Sequence, residues 1–264
     1  MNNNRAIFTA LIRRDCYILS KQIKDFLIDG TISVSTKIIV FCYLFPVMGM
    51  SKSLVGPMFI GSIVSLLFNI NFAQSLRVVF DLKFNQLIYY HLTLPIDLHW
   101  LLAQKILSFT INTICITSPI IMGGIILLNS QLTIAYTNII LFLIIYLLTM
   151  FFFATFFLTL AFHCQYDWFM NNLWARRLSP LFLLSCILFP WKLLYNFWPN
   201  LAYLFLCNPC TYVAEGFRSS LLGSDQFISY TICIPIIMLT LWIAWKTLVF
   251  SVKRRLNPVG VLSA

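Results

Sequence analysis

Acid–base chemistry has little to draw on in this chain: eight carboxylates and three histidines among 264 residues. The carboxylates are Asp15, Asp25, Asp29, Asp81, Asp97, Asp167, Glu215 and Asp225, and none falls in the middle of an expected span. Proton-coupled carriers place ionisable groups inside the membrane, so the energy for any uphill transport is expected from another subunit. This chain offers no ATPase site. A phosphate loop needs G-x-x-x-x-G-K-[ST], and here Gly56 and Gly61 are followed by Ser62-Ile63. His91, His99 and His163 do not cluster in sequence with carboxylates or cysteines, so no metal site is expected. His91 and His99 read as interface or solvent residues. Cys207 and Cys210 have redox-like spacing, and a disulfide there would brace a turn, but no thioredoxin-like pattern surrounds them. No catalytic residue is expected.

The most specific constellation is Asn208-Pro209-Cys210-Thr211-Tyr212-Val213-Ala214-Glu215-Gly216-Phe217-Arg218, with Gly223 beyond it. Asn-Pro halts one segment, and Asn208 or Thr211 caps the next. Glu215 and Arg218 are three apart and pair on one helical face. Gly223 supplies the residue that ends the helix. On the residues alone, a salt-bridged surface helix is the competing reading.

The elements that hold these residues are set by composition. The chain is 60% hydrophobic and 10% charged, against about 25% charged in soluble domains. Lipid must cover much of the exterior. The formal charge of +10 lies beside apolar runs, where it sets orientation and meets anionic lipid; nucleic acid is not an expected partner. The expected fold is an all-α membrane protein, one transmembrane domain over residues 1–264. Six spans are expected near 32–50, 54–75, 105–128, 136–162, 178–190 and 228–250. The fifth is too short unless it begins inside the preceding loop. Lys37, near the inner end of the first, is expected to snorkel. Residues 1–29 suggest an amphipathic helix on the cytoplasmic surface. They lack a signal-peptide pattern, so the first span is expected to insert itself.

Two regions break the hairpin pattern. The inner loop 76–104 is long enough to need its own structure or a partner. The outer region 190–226 is apolar but cut by Pro190, Pro199 and Pro209, so a re-entrant or gate structure is expected. With both termini cytoplasmic, 15 of the 18 basic residues fall inside, leaving Lys52, Lys192 and Arg218 outside. That asymmetry fits an even number of spans.

The 208–218 motif resembles the N-P-x-T-Y-x-x-E-G-x-R stretch before the last span of type 2 ABC exporter permeases. The likeness covers nearly the whole chain: basic amphipathic N-terminus, six spans, a long inner loop after the second span and two short outer helices between the fifth and sixth. It implies a permease of the inner membrane that exports a glycan, lipid-linked or hydrophobic substrate. The implied partners are a second permease chain, in a homodimer, and a separate nucleotide-binding subunit that holds ATP and magnesium. No cofactor is implied in this chain. In the family the inner loop docks on the ATPase; the matching stretch here carries Asp81, Lys83, Phe84, Asn85, Leu92 and Pro95. It keeps Leu92-Thr93-Leu94-Pro95 but lacks the family's Gly and has Asp81 in place of a glutamate pair. The outer motif residues would be Asn208, Pro209, Thr211, Tyr212, Glu215, Gly216 and Arg218. Half-helices near 192–206 and 210–222 would gate the exit, and Trp191, Tyr195, Trp198 and Tyr203 would line it, although an interfacial aromatic belt contains the same residues. The alternative is a membrane enzyme acting on a lipid-linked substrate, with His91, Asp97 and His99 as its best candidates. A structural subunit of a larger complex is a third reading.

Overall fold

The structure, a computed structural model, describes residues 2–49, 51–85, 87–92, 95–128, 139–223 and 227–256. Thr93, Leu94 and Asp225, and the side chains of Lys52 and Leu92, lie outside the described residues. In chain order the helices are α1 (Asn2–Ile38), α2 (Phe45–Val47), α3 (Val55–Phe80), α4 (Leu87–Leu92), α5 (Leu98–Leu127) and α6 (Ile139–His163). They continue with α7 (Tyr166–Leu173), α8 (Ser179–Leu183), α9 (Trp191–Phe197), α10 (Pro199–Phe205), α11 (Pro209–Leu222) and α12 (Tyr230–Leu256). Wider π turns at Ile39–Leu44, Asp81–Asn85 and Trp174–Leu178 continue α1, α3 and α7.

Five helical stretches are long and apolar enough to cross a membrane: Arg5–Val47, Val55–Asn85, Leu98–Leu127, Ile139–His163 and Tyr230–Arg255. The first is 43 residues, roughly 65 Å at 1.5 Å per residue, twice the hydrocarbon thickness of about 30 Å. Residues 2–29 are therefore not a separate element. Their helix runs without a break into the first apolar run, and its basic half projects beyond it. Lys37 does not snorkel: its Nζ donates to Ser65 Oγ at 2.6 Å, halfway along α3.

The central helix is α3. Its most apolar window is 89% buried, against 22% for those of α1 and α12. Phe68 anchors an aromatic core with Phe153, Phe157 and Phe182, at ring separations of 4.9–5.7 Å. Polar side chains join the helices where apolar contact alone gives no preference in lipid. Gln74 donates to Thr113, Thr117 bonds Tyr146, and Thr159 donates to the Ala244 carbonyl.

The sense of each helix follows from its contacts. Ile145 and Cys233 both flank Gly216, and Arg255 donates to the carbonyls of Ala161 and Phe162. So α6 and α12 are parallel, and residues 164–229 must carry the chain back along the bundle. They do so beside α3. Phe169 and Trp174 meet Phe72, Phe182 meets Phe68, and the Ile187 carbonyl reaches Gly61. The segment expected as a span over 178–190 is not one continuous helix. The return starts at Tyr166, passes the π turn at Arg176 and Arg177, and leaves helical geometry after Leu183.

Candidate functional site

The expected motif sits on α11, which packs against α3, α6 and α12. Asn208 caps it: its side chain accepts from the Cys210 amide at 3.0 Å and donates to the Leu181 carbonyl at 2.6 Å. Pro209 opens the helix where its missing N–H costs nothing. Thr211 instead reaches back to the Phe205 carbonyl at 2.7 Å, tying α10 to α11. Gly216 faces Cys233 of α12, and Tyr212 is half-buried against the core. Gly223 ends the helix at φ 97° and ψ 157°, a region open essentially to glycine alone. It stops the helix as expected, with extended instead of left-handed helical ψ.

Glu215 and Arg218 do not form a surface pair. Both are fully buried, with Arg218 Nη1 2.8 Å from Glu215 Oε1. Arg218 also donates to the carbonyls of Pro57, Cys186, Ile187 and Phe189, at 2.5–3.2 Å. Glu215 accepts from the amides of Trp191 at 3.0 Å and Ile228 at 3.2 Å. The two charges thereby satisfy backbone groups freed where the return segment leaves helical geometry, the condition for irregular backbone at membrane depth. Gly61 completes the clasp: a Cβ there would collide with the Ile187 carbonyl oxygen.

Above this clasp, Trp191 donates from its indole to the Ala202 carbonyl at 2.8 Å and stacks on Tyr195, which meets Tyr203 edge-on. The half-helix expected near 192–206 is therefore two pieces, α9 and α10, which meet at Trp198-Pro199. Trp198 and Tyr203 are exposed. A separate cavity of about 310 Å³ is lined by Ser53, Leu54, Pro57, Pro190, Lys192, Leu193, Asn196 and Phe227. The rings of Trp191, Tyr195, Trp198 and Tyr203 are not part of that lining. Cys207 is exposed and Cys210 buried, and the two are not joined.

At the opposite end lies the inner loop. Asp81 does structural work: its Oδ2 accepts from the Ile88 amide at 3.0 Å and holds the start of α4. Lys83, Phe84, Asn85 and Pro95 are exposed on one short stretch. Lys83 pairs with Asp167 at 3.1 Å, and Phe84 meets the Tyr166 ring edge-on at 5.3 Å. The loop thus touches the first turn of the return segment.

Sequence reasoning missed a charged cluster behind that loop. Asp15 is held by Arg14 at 2.7 Å, Lys105 at 3.5 Å and the Gln104 amide at 2.9 Å. His91 is 3% exposed, so it is neither an interface nor a solvent residue. Arg14 Nη1 lies 2.6 Å from its Nε2. Burial, with Lys105 and Arg14 close by, pushes His91 down to about 4. His99, by contrast, is exposed beside Trp245. Among the described residues, no group of three His, Cys, Asp or Glu could hold a metal.

No family model, curated protein or solved structure matches the chain. An exposed charged–aromatic stretch at one end connects through a continuous segment to a buried ion pair and two short helices at the other.

Proposed function

We propose that this chain is the permease subunit of an ATP-driven exporter of the inner membrane. A separate subunit binds ATP and magnesium and hydrolyses the nucleotide. The observation that carries the reading is the buried clasp. The eleven-residue motif that resembles exporter permeases carries the two charges that lock the non-helical end of the return segment to the bundle.

In this reading the five apolar helices and the return segment 166–190 make six crossings, with both chain ends cytoplasmic. The basic half of α1 lies along the cytoplasmic side. Two copies of the chain enclose the path, and α9 and α10 gate its outer mouth. The nucleotide-binding subunit docks on Lys83, Phe84, Asn85 and Pro95, with Leu92 nearby in sequence. Its closure pushes the loop. Lys83–Asp167 and Phe84–Tyr166 pass that push to α7. The return segment carries it to the carbonyls gripped by Arg218, and Glu215 relays it to the first turn of α9 through the Trp191 amide. A glycan, lipid-linked or hydrophobic substrate suits a path whose exposed rings, Trp198 and Tyr203, stand near the exit.

Co-purification tests the reading. A nucleotide-binding subunit from the flanking genes is expressed with this chain and with a variant lacking residues 84–91. A stable complex that the deletion abolishes is expected. If no such subunit binds, the exporter reading fails, and turnover of a lipid-linked substrate by the chain alone would favour the membrane enzyme.

A further inference from the structure

A second cavity, of about 550 Å³, opens between α1, α3, α4 and α5 at the charged end of the bundle. That is within the size range of sites that hold small ligands, about 300–1,000 Å³. Most of its wall is apolar, including Ile18, Leu76, Val78 and Phe109. Three cations line it, Arg14, Arg77 and Lys105, against two carboxylates, Asp15 and Asp81. Both carboxylates are engaged: Asp15 with Arg14, Lys105 and Gln104, and Asp81 with the Ile88 amide. Arg77 donates to Gln22 and lies over the Phe26 ring. Among the described residues no carboxylate lies within ion-pair distance of it. The lining therefore carries an excess of one positive charge.

His91 adds a directional feature. A guanidinium can only donate, so Nε2 accepts from Arg14 and Nδ1 carries the proton. That Nδ1 is buried, and it has no hydrogen-bond partner among the described residues. His91 is one of the residues lining this cationic, apolar-walled cavity, and the acceptor that its buried N–H lacks is what an anionic oxygen on an amphiphile supplies. Basic pockets between spans on the cytoplasmic side suit anionic headgroups.

We infer that this cavity holds the phosphodiester headgroup of one anionic phospholipid. Its phosphate oxygens meet His91 Nδ1, Arg77 and Lys105, and an acyl chain lies along Ile18, Leu76 and Phe109. The lipid is a bound ligand of the chain. The inference rests on the membrane reading of the chain and is independent of the ATP-driven one.

The test uses the full chain alone, delipidated in neutral detergent and titrated with dioleoyl phosphatidylglycerol, dioleoyl phosphatidylcholine or inorganic phosphate. Bound lipid is counted by native mass spectrometry, and the unfolding midpoint is followed. One phosphatidylglycerol is expected to stay bound and raise the midpoint. His91→Phe and Arg77→Gln are each expected to weaken it about tenfold, the loss of one charge-assisted hydrogen bond. Arg77 is exposed, so its variant carries the test if His91→Phe does not fold. Equal retention of phosphatidylcholine, or phosphatidylglycerol binding unchanged in the variants, overturns the inference. A full midpoint shift from millimolar phosphate alone assigns the cavity to a free anion and overturns the lipid assignment. Because no ATPase is present, none of these results bears on the exporter reading.

Discussion

Arg218 meets five acceptors on three stretches of chain: the carbonyl of Pro57, those of Cys186, Ile187 and Phe189, and the Glu215 carboxylate. Removing one partner of a buried pair leaves the other uncompensated, at a cost of about 3–5 kcal/mol. Arg218→Ala is therefore expected to lower the unfolding midpoint sharply in detergent. Arg218→Lys is expected to rescue little, because an ammonium has three donors and no planar fork. A lysine variant as stable as the parent would show that the carbonyls find other partners. His91 gives a pH signature. Its unfolded value is about 6.5 and its folded value about 4. Above pH 6.5 both states are neutral. Below it the unfolded chain takes up a proton that the folded chain refuses. Stability should fall by about 3 kcal/mol as pH drops from 6.5 to 4, then level off. Unfolding at stepped pH should show this fall, and His91→Phe should remove its share. The sequence announced the residues of the motif but not their burial. A Glu and an Arg three apart look like a surface pair, because the partners that draw them inside are backbone carbonyls with no sequence signal.

At the level of elements, the inner loop divides into a structural part and a free part. Asp81 holds α4, whereas Lys83 and Phe84 are exposed. The Lys83–Asp167 pair has both side chains in solvent, so it adds at most about 1 kcal/mol. Lys83→Ala and Phe84→Ala should leave the unfolding midpoint of the isolated chain unchanged within error. A large drop would mean that the loop is a packing element and not a docking one. The helix positions were legible wherever an apolar run of spanning length stood alone, as in α3, α5, α6 and α12. The return segment was legible only in part, because Asp167, Arg176 and Arg177 dilute its hydropathy and hide its start at Tyr166. The continuity of α1 was missed for a related reason. Basic residues mark where a helix leaves the lipid, but they do not end it.

At the scale of the whole molecule, parallel α6 and α12 require the chain between them to traverse the bundle. In the proposed six-crossing arrangement three traverses run each way: α1, α5 and 166–190 against α3, α6 and α12. Cys207, exposed beyond the return segment, reports which side it reaches. With the basic end inside, an impermeant maleimide should label Cys207 in intact cells. A cysteine introduced as Lys83→Cys should react only after permeabilisation. Protection of Cys207 in intact cells would contradict the sixth crossing. The arrangement of the two cavities was not legible in the sequence, because each is lined by residues that the fold brings together from distant segments.

The central claim, that ATP spent by a partner moves this bundle, is tested most directly by hydrolysis in lipid nanodiscs. The rate of the nucleotide-binding subunit is measured alone, with this chain, and with the Lys83→Ala, Phe84→Ala double variant. The account predicts a rate that changes on assembly and returns towards that of the isolated subunit with the double variant, although the complex still folds. A rate indifferent to this chain, or one that the double variant leaves intact, would contradict it.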